Sequence, residues 1–413
     1  MAYRFENSLA NCSWKIYGNR CTDKYMIPIN KPMIGEEERR EVLEVLDKNS
    51  SLTSPSKDGG KKVREFEQLL RQFLHVKHAI AVNSGTAALY SSLLALGLKY
   101  GEEVILPSFT FVATANAVVA AGGKPVFVDI SKNRQDYNID PQELKSKFTN
   151  RTRVILPVHL YGSPANLDEI EEFLQRYSDG NVFIVEDACQ SLGSTYKKKQ
   201  TGTFGIVGCF STYASKVMTS GEGGAVVTDD DDIAERLKMI RNHGMVEGYD
   251  TRILGLNSRL PEMSAALAKA QMLKLPEMLE RRRHNAKLMT ELLSSSDNRA
   301  SNIDEYVILP RIHEVNKESN WYLYTLAFKK DGIRDNIQKK LVTEYNIGAS
   351  VYYDPPVHQT PFYDEMVKMN ALKLENTNWA SKHVLSLPVH PLVTDQEIRF
   401  IASSLVEAIN NLS

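Results

Sequence analysis

Cysteine is scarce in this sequence. The 413 residues contain four cysteines, Cys12, Cys21, Cys189 and Cys209, which are too few and too scattered for a disulfide framework. Because no two of them have CxxC spacing, the sequence indicates neither a thiolate zinc site nor a thioredoxin motif, and no metal site is predicted. A reducing cytoplasm is the simplest setting for such a chain.

An excess of charge of either sign is also missing. The 50 basic residues are balanced by 51 acidic ones, which leaves a formal net charge of −1. This balance provides no overall basic field for nucleic acid or for a membrane surface, so neither is expected as a partner. No run of about 18 apolar residues predicts a membrane span. The N-terminal residues also lack the apolar segment of a signal peptide.

What the chain does contain is a regular alternation of short apolar strands and helical stretches, which predicts an α/β fold with a mostly parallel sheet between layers of helices. The predicted strands are His78–Val82, Glu103–Leu106, Pro125–Asp129, Arg153–Val158, Val182–Glu186, Phe204–Ser211 and Gly224–Thr228. The predicted helices of this part include Thr86–Leu96, Phe111–Ala120, Asp140–Phe148, Leu167–Tyr177 and Asp231–Arg241.

A long helical pattern over Pro261–Leu293 leads out of this region into a mixture of predicted strands and helices. We therefore divide the chain into an N-terminal extension (1–27), a large domain (28–285) and a smaller α+β C-terminal domain (286–413).

The motifs of several enzyme classes are absent. The chain has no Walker phosphate loop and no GxSxG elbow. The closest approach to GxGxxG, at residues 221–226, lacks the last glycine and precedes a strand instead of following one. A nicotinamide-dependent α/β enzyme fits the composition but not these observations.

Three features in the predicted sheet region carry chemistry. The segment Asn83–Leu89 runs from a strand into a helix, so free backbone N–H groups and the hydroxyl of Thr86 could bind an anion; a plain helix cap is the alternative. Glu186 and Asp187 end a strand, and because neighbouring strand residues point to opposite faces, only one of them can face a given site. A helix cap or a surface pair would explain them equally well.

The third feature is Lys216, the only charged residue between Lys199 and Glu222. A lysine among small, apolar and hydroxyl residues is a candidate nucleophile, although a surface lysine in a loop is the ordinary alternative. An anion site, a carboxylate at a strand end and an isolated lysine are together what pyridoxal phosphate requires for its phosphate, its ring nitrogen and its aldehyde.

The sequence resembles the DegT/DnrJ/EryC1/StrS family of sugar aminotransferases. The matching motifs are NSGTAAL (83–89), LPSFTFVATANAVVAAGGKPVFVDI (106–130), VHLYG (158–162), VEDACQSLG (185–193), FSTYASKVMTSGEGGA (210–225), RNHGM (241–245), GLNSRL (255–260) and LSLPVHP (385–391). The resemblance implies the type I fold of pyridoxal phosphate-dependent transferases, with a large, mostly parallel seven-stranded sheet and a smaller C-terminal domain. It also implies a homodimer with shared active sites.

The resemblance further implies a role for each matching residue. Lys216 would bind the cofactor as a Schiff base, the internal aldimine, and Asp187 would pair with the ring nitrogen. Phe111 would stack on the ring, and Gln190 would bind its 3-hydroxyl group. The phosphate would be held by Gly85, Thr86, Ser211 and Asn257 of the neighbouring subunit. Tyr213, Tyr353 and His358 would lie near the substrate.

The implied reaction is a ping-pong transfer of an amino group from an amino acid, expected to be L-glutamate, to a nucleotide-linked keto sugar, with pyridoxamine phosphate as the intermediate form of the cofactor. Two related activities are alternatives. A sugar 3-dehydratase of this family typically has a histidine in place of the lysine, whereas Lys216 is present here. A non-catalytic regulatory homologue would be expected to have lost Asp187, Gln190, Ser211 or Lys216. The sequence does not determine which nucleotide the acceptor carries, which sugar carbon is aminated, or whether the amino donor is glutamate or glutamine.

Overall fold

The computed structural model describes residues 26–47, 51–295, 303–367 and 372–412. The extension predicted for residues 1–27 lies outside the described residues except for its last two. Of these, Ile27 forms a parallel bridge with Ile347 and packs into an apolar core together with the C-terminal part of the chain.

The elements follow one another along the described chain in largely alternating order. The strands are β1 (His78–Val82), β2 (Glu103–Pro107), β3 (Lys124–Val128), β4 (Thr152–Ile155), β5 (Phe183–Asp187), β6 (Thr195–Tyr196), β7 (Lys199–Gln200), β8 (Val207–Ser211), β9 (Gly224–Thr228), β10 (Val307–Ile308), β11 (Lys317–Glu318), β12 (Tyr324–Phe328) and β13 (Val384–Leu387). The α-helices are α1 (Glu36–Asp47), α2 (Lys61–Leu74), α3 (Gly85–Ala95), α4 (Val112–Ala120), α5 (Leu144–Lys147), α6 (Leu167–Tyr177), α7 (Asp231–Ile240), α8 (Glu262–Leu293), α9 (Ile303–Tyr306), α10 (Ile333–Thr343), α11 (Pro361–Val367), α12 (Glu375–His383) and α13 (Asp395–Asn410).

The largest sheet of the described residues has seven strands in the order β1-β9-β8-β5-β4-β2-β3. Strand β9 runs antiparallel to β1 and β8, and the other neighbouring pairs are parallel. Every residue of β2 and β9 is buried, as expected for strands covered by helices on both faces. The predicted α/β fold with a mostly parallel seven-stranded sheet is confirmed.

The long helix α8 connects the two parts of the chain. Its first half packs against α1 and α2, and its second half packs against α13. Leu275 and Leu279 belong to the core beneath the large sheet, whereas Ala286 and Leu293 belong to a second core. Helix α8 therefore spans both cores as one continuous element.

The C-terminal part contains a three-stranded antiparallel sheet, β10-β12-β13, with α10 and α13 packed nearby. Asp129, just after β3, holds this part against the large sheet. Its carboxylate accepts hydrogen bonds from the backbone N–H of Asn376 (2.9 Å), the backbone N–H of Thr377 (2.8 Å) and the hydroxyl of Thr377 (2.8 Å). Because these donors open α12, the carboxylate also caps that helix.

Two strand boundaries differ from the sequence prediction in a way that bears on the site. Strand β5 extends one residue further than predicted, to Asp187, and β8 begins at Val207 instead of Phe204. Strand β5 extends because Asp187 still pairs with Cys209 of β8. Strand β8 begins late because the Glu186 carboxylate accepts hydrogen bonds from the backbone N–H groups of Phe204 and Gly205 at 2.6 and 2.7 Å. These groups are consequently not available to a strand pairing. Among the described helices, none is both long and apolar enough to cross a membrane.

Candidate active site

The candidate site lies at the carboxyl ends of β1, β5 and β8, which occupy one half of the large sheet. Parallel strands end at the same edge, and this edge is where open α/β sheets bind ligands. Here β1 leads to the start of α3, β5 ends at Asp187, and β8 ends at Ser211.

The start of α3 provides backbone donors at this edge. Ser84 is the N-cap, and its hydroxyl accepts a hydrogen bond from the backbone N–H of Ala87 at 3.0 Å. Gly85 is buried and packed closely: a Cβ atom placed there would lie 2.8 Å from Cβ of Ser211 and 2.9 Å from Sγ of Cys189. Thr86 is exposed beside it. The first turn of this helix and Ser211 are therefore in direct contact, as a common anion site requires.

Asp187 is buried, with 5% of its surface exposed, and is held by two donors. The hydroxyl of Thr114 donates to Oδ2 at 2.8 Å, and the backbone N–H of Cys189 donates to Oδ1 at 3.1 Å. Two fixed donors hold the carboxylate in one orientation, so it can act as a rigid acceptor toward a ligand group.

The neighbouring Glu186 faces away from Asp187 and is completely buried. Besides its bonds to the loop before β8, it accepts a hydrogen bond from the backbone N–H of Gly202 at 2.7 Å and lies 2.9 Å from Nε2 of His159. Since Nδ1 of His159 accepts from the backbone N–H of Ala165, Nε2 carries the proton donated to Glu186. The hydrogen bonds of the Glu186 carboxylate thus all go to His159 and to the backbone of the loop before β8, and they stabilise that loop.

Lys216 lies half-buried in the loop between β8 and β9. Its Nζ atom is 4.7 Å from the centre of the Tyr322 ring, and its backbone N–H donates to the carbonyl of Tyr213 at 2.9 Å. An ammonium group over an aromatic face is favoured electrostatically, so Tyr322 helps to define where the lysine points.

The electrostatics of Cys189 link the lysine to the carboxylate. Burial raises the pKa of the Cys189 thiol well above its usual range, and the charge of Asp187 acts in the same direction. Lys216 opposes both and lowers that pKa. Both charged groups are therefore close enough to the thiol to act on its pKa, and the thiol itself lies beside Gly85 at the start of α3.

Aromatic rings form another wall of the pocket. Phe111 is 54% exposed, although it is large and apolar, and its ring centre lies 6.0 Å from that of Tyr353. Tyr353 accepts a hydrogen bond at its hydroxyl from Nε2 of Gln190 at 3.2 Å. Burial raises the pKa of Tyr353 well above its usual range, and Tyr322, Tyr352 and Asp187 add to the shift. Tyr353 therefore stays a neutral phenol, able to donate its own hydrogen.

Gln190 is fixed from both sides, since its Oε1 accepts from the backbone N–H of Tyr161 at 2.9 Å. The three remaining predicted positions differ in their surroundings. Tyr213 is 48% exposed next to the lysine segment. Asn257 has an exposed side chain. Its backbone carbonyl accepts a hydrogen bond of 3.2 Å from Nδ2 of Asn83, the residue that precedes the N-cap of α3.

His358 is buried, like Asp187 and Gln190. It is 6% exposed, its Nδ1 lies 2.7 Å from the hydroxyl of Ser108, and its backbone N–H donates to the same hydroxyl at 3.1 Å. Burial lowers the pKa of His358 below its ordinary value, which keeps the ring neutral near pH 7. In this structure it braces the end of β2.

Three residues of the pocket were not predicted from the sequence: Thr114, Cys189 and Tyr322. Thr114 stands in the SFTFVATAN motif, where its spacing from the strand could have suggested a helix facing the site. Cys189 carries no signal for this pocket, because a cysteine in a sequence by itself suggests only a disulfide or a metal ligand. Tyr322 carries no local signal, because it reaches the pocket only when the C-terminal part of the chain packs on the large sheet.

The donor set fits pyridoxal phosphate. A half-buried amine, a rigid buried carboxylate, a helix N-terminus with two hydroxyl residues and an accessible aromatic ring meet at one sheet edge. Among the described residues, no group of three or more His, Cys, Asp and Glu side chains could hold a metal ion.

A large mostly parallel sheet with these residues at its edge defines a type I pyridoxal phosphate-dependent transferase. The sequence profile of the DegT/DnrJ/EryC1/StrS aminotransferase family matches residues 32–406, and the chain belongs to that family. The predicted resemblance, the enzyme class and the cofactor are thereby confirmed, since the family depends on pyridoxal phosphate.

Individual relatives agree with this assignment. GDP-perosamine synthase of Caulobacter vibrioides is 32% identical, over 94% of this chain and 100% of its own length. PseC of Helicobacter pylori, an aminotransferase of pseudoaminic acid biosynthesis, superimposes with a TM-score of 0.83 at 28% identity, over 94% of this chain and 100% of that one. NtdA of Bacillus subtilis, solved with bound PMP, superimposes with a TM-score of 0.80 at 30% identity, over 91% of this chain and 83% of that one.

Proposed function

We propose that this enzyme transfers an amino group from L-glutamate to a keto sugar linked to a nucleoside diphosphate, through a ping-pong cycle at one site. The observation that carries the proposal is a geometric one: the fixed Asp187 carboxylate, the first turn of α3 packed against Ser211, and Lys216 in the loop that follows Ser211 lie at one edge of the sheet. An amine, a fixed carboxylate and an anion site at one sheet edge are what amino transfer with this cofactor requires.

When bound, pyridoxal phosphate supplies an electrophilic aldehyde and a ring that accepts electrons. With the cofactor bound, Nζ of Lys216 would hold it. The same amine, once free, would be the base that takes a proton from the α-carbon of the amino donor and the acid that returns it. Tyr322, beneath Nζ, restricts the positions from which the proton can move.

Asp187 would hold a proton on the ring nitrogen of the cofactor, because a buried carboxylate with two fixed donors still has lone pairs to accept it. Gln190 would bind the 3-hydroxyl group, and the exposed ring of Phe111 would be available to stack on the cofactor ring. Gly85, Thr86 and Ser211 would bind the phosphate, helped by the positive end of the α3 dipole.

We propose that the active enzyme is a homodimer in which Asn257 of the partner subunit completes the phosphate site. Support comes from the exposed side chain of Asn257 and from Leu254, three positions earlier, which is 68% exposed. Tyr249 and Leu256 of the same segment are exposed as well, and exposed apolar side chains that lie together are typical of surfaces that a partner covers.

The proposal for the acceptor rests on the relatives. One is a GDP-perosamine synthase, and another acts in pseudoaminic acid biosynthesis, so the substrates of both are amino sugars or their precursors. Exposed Tyr213 and the phenol of Tyr353 border the lysine and would contact the sugar, with His358 supporting the pocket from beneath. We place the reaction in the cytoplasm, where nucleotide sugars are made.

A spectroscopic screen tests the two halves of the cycle separately. L-glutamate should remove the visible absorbance of the pyridoxal phosphate form and release one equivalent of 2-oxoglutarate per site. The resulting pyridoxamine phosphate form is then mixed with keto sugars carrying UDP, GDP, dTDP or CDP and a ketone at C3 or C4. One of them should restore the absorbance and yield the aminated sugar.

Matched controls are the same sugars without the nucleotide and a cyclitol ketone. Recovery with the free ketones and not with any nucleotide-linked sugar would contradict the proposed acceptor. Absence of 2-oxoglutarate, with bleaching by L-glutamine instead, would contradict the proposed donor. Release of ammonia and a deoxy sugar would instead indicate dehydration.

A further inference from the structure

Arg282, on α8, is a buried cation without an acidic partner. It is 1% exposed, and no carboxylate among the described residues forms an ion pair with it. Burial lowers its pKa to about 10. A buried charge is costly unless other groups satisfy it, so its contacts are informative.

The guanidinium of Arg282 binds backbone and amide oxygens instead of a carboxylate. Its Nη1 group donates to the carbonyls of Trp321 (3.2 Å) and Tyr322 (3.1 Å), and Nη2 donates to Oδ1 of Asn30 at 3.1 Å. The arginine therefore connects the segment that carries Tyr322 to the N-terminal segment around Asn30.

Asn30 passes this connection on to the lysine loop. Its Oδ1 accepts from Arg282 and from the backbone N–H of Lys31, which fixes the orientation of the amide. The Nδ2 group then faces the carbonyl of Ser215 and donates to it. Ser215 directly precedes Lys216, and its hydroxyl also lies 3.3 Å from the hydroxyl of Tyr322.

Arg282 and Asn30 thus hold both supports of the lysine: the backbone immediately before it and the ring on which its ammonium rests. Both are far from this loop in sequence and contribute no group of their own to the pocket edge described above. If Asn30 and Arg282 only stabilised α8, the hydrogen bond from Asn30 to the Ser215 carbonyl would not be needed.

We propose that Asn30 and Arg282 are positioning residues, which hold the Ser215–Lys216 backbone so that Nζ is aimed at the cofactor aldehyde before the cofactor arrives. This inference rests on the proposed role of Lys216. Misaligned reacting groups lose rate even when they remain nearby, so the rate of covalent capture should depend on Asn30.

The test measures how fast Lys216 captures the cofactor, independently of turnover. Cofactor-free protein is mixed with pyridoxal phosphate, aliquots are reduced with borohydride, and the modified peptide containing Lys216 is quantified by mass spectrometry. Asn30→Ala removes all three hydrogen bonds of the amide. Asn30→Asp keeps an acceptor for Arg282 but turns an oxygen toward the Ser215 carbonyl.

We expect capture at Lys216 to slow by about fivefold to tenfold in both variants, as for the loss of one hydrogen bond that aligns the reacting amine. Lys31→Ala, at an exposed position in the same segment, is the matched control and should react at the wild-type rate. Hydrogen exchange of the cofactor-free proteins should increase in the backbone around residues 213–218 and not across α8.

Wild-type capture rates in Asn30→Asp and Asn30→Ala would overturn the inference, as would increased exchange spread over the whole C-terminal part. If Asn30→Ala unfolds, Asn30→Asp alone decides the outcome through the same two measurements. Absence of modification at Lys216 in the wild-type protein would be a different result, because it would refute the proposed role of Lys216 itself.

Discussion

The hydroxyl of Thr114 donates a hydrogen bond to Oδ2 of Asp187 over 2.8 Å, across from the strand on which Asp187 lies. Thr114 stands on α4 and Asp187 at the end of β5, so the bond locks a helix of one face of the sheet to the edge that carries the site. The preceding residue, Glu186, lies on the opposite face of the sheet and binds the loop before β8.

Because the two carboxylates have separate contacts, their amide variants should fail differently. Asp187→Asn should reduce turnover by roughly 10²–10⁴-fold, because it weakens proton holding at the cofactor ring, while the thermal midpoint stays near wild type. Glu186→Gln places an amide N–H₂ against backbone donors and should cost about 2–4 kcal/mol of unfolding free energy. Steady-state kinetics and thermal unfolding of both variants distinguish the cases; the reverse pattern would show that Glu186 faces the cofactor.

Gly85→Ala should damage the phosphate site by steric crowding. The new methyl group would lie within 3 Å of both Ser211 and Cys189, and overpacking of this kind costs about 1–3 kcal/mol. We expect weaker binding of pyridoxal phosphate, measured by titration of the cofactor-free protein. Adding Cys189→Ala should recover part of the affinity, since it removes one of the two clashes; additive losses would contradict the predicted contact.

His390 should make stability fall with acidity. Burial lowers its pKa from 6.5 to about 4, so the unfolded chain binds a proton in this range more readily than the folded one. Its stabilising contribution is complete above about pH 6.5 and is lost progressively as the pH falls toward 4, by at most roughly 3 kcal/mol. The positive charge of Arg282 adds to the effect of burial on this pKa.

The check is a pair of unfolding curves measured at several pH values. His390→Leu should show a shallower decline between pH 6.5 and 4 than the wild type, whose carboxylates cause the remaining slope. His313→Leu, at an exposed position, should keep the wild-type profile. Identical slopes in the wild type and His390→Leu would contradict the assignment.

Lys198→Gly should stabilise the protein. Lys197 and Lys198 connect β6 to β7 with φ angles of +48° and +65°, in the left-handed region that disfavours side chains. Replacing Lys198 by glycine should gain about 0.5–1 kcal/mol, visible as a higher thermal midpoint. Lys199→Gly, within β7, should have the opposite effect; a lower midpoint for Lys198→Gly would count against the argument.

The existence and order of the strands around the site could be predicted because continuous apolar runs and the residues that interrupt them are local features. His78–Val82, which ends at the site, and Gly224–Thr228, which begins there, coincide with β1 and β9. The isolation of Lys216 and the turn before Thr86 are equally local. These signals were sufficient to predict the fold class and to nominate the cofactor site.

What could not be predicted depends on contacts between distant segments. The pleat alone allowed either Glu186 or Asp187 to face the site. The family resemblance favoured Asp187, but the physical reason is the loop at Gly202–Gly205, which takes up Glu186. Tyr322 reaches Lys216 only through packing of the C-terminal part of the chain. The small sheet of β6, β7 and β11 was not predicted, because its strands of two residues have no periodic pattern.

The most direct test of the account concerns Lys216 itself. After incubation with pyridoxal phosphate and borohydride, the wild type should carry the cofactor on Lys216, and L-glutamate added before reduction should prevent the attachment and release 2-oxoglutarate. Lys216→Ala should carry no cofactor at this position and show no turnover. Full turnover in Lys216→Ala, or attachment only to other lysines, would contradict the proposed mechanism.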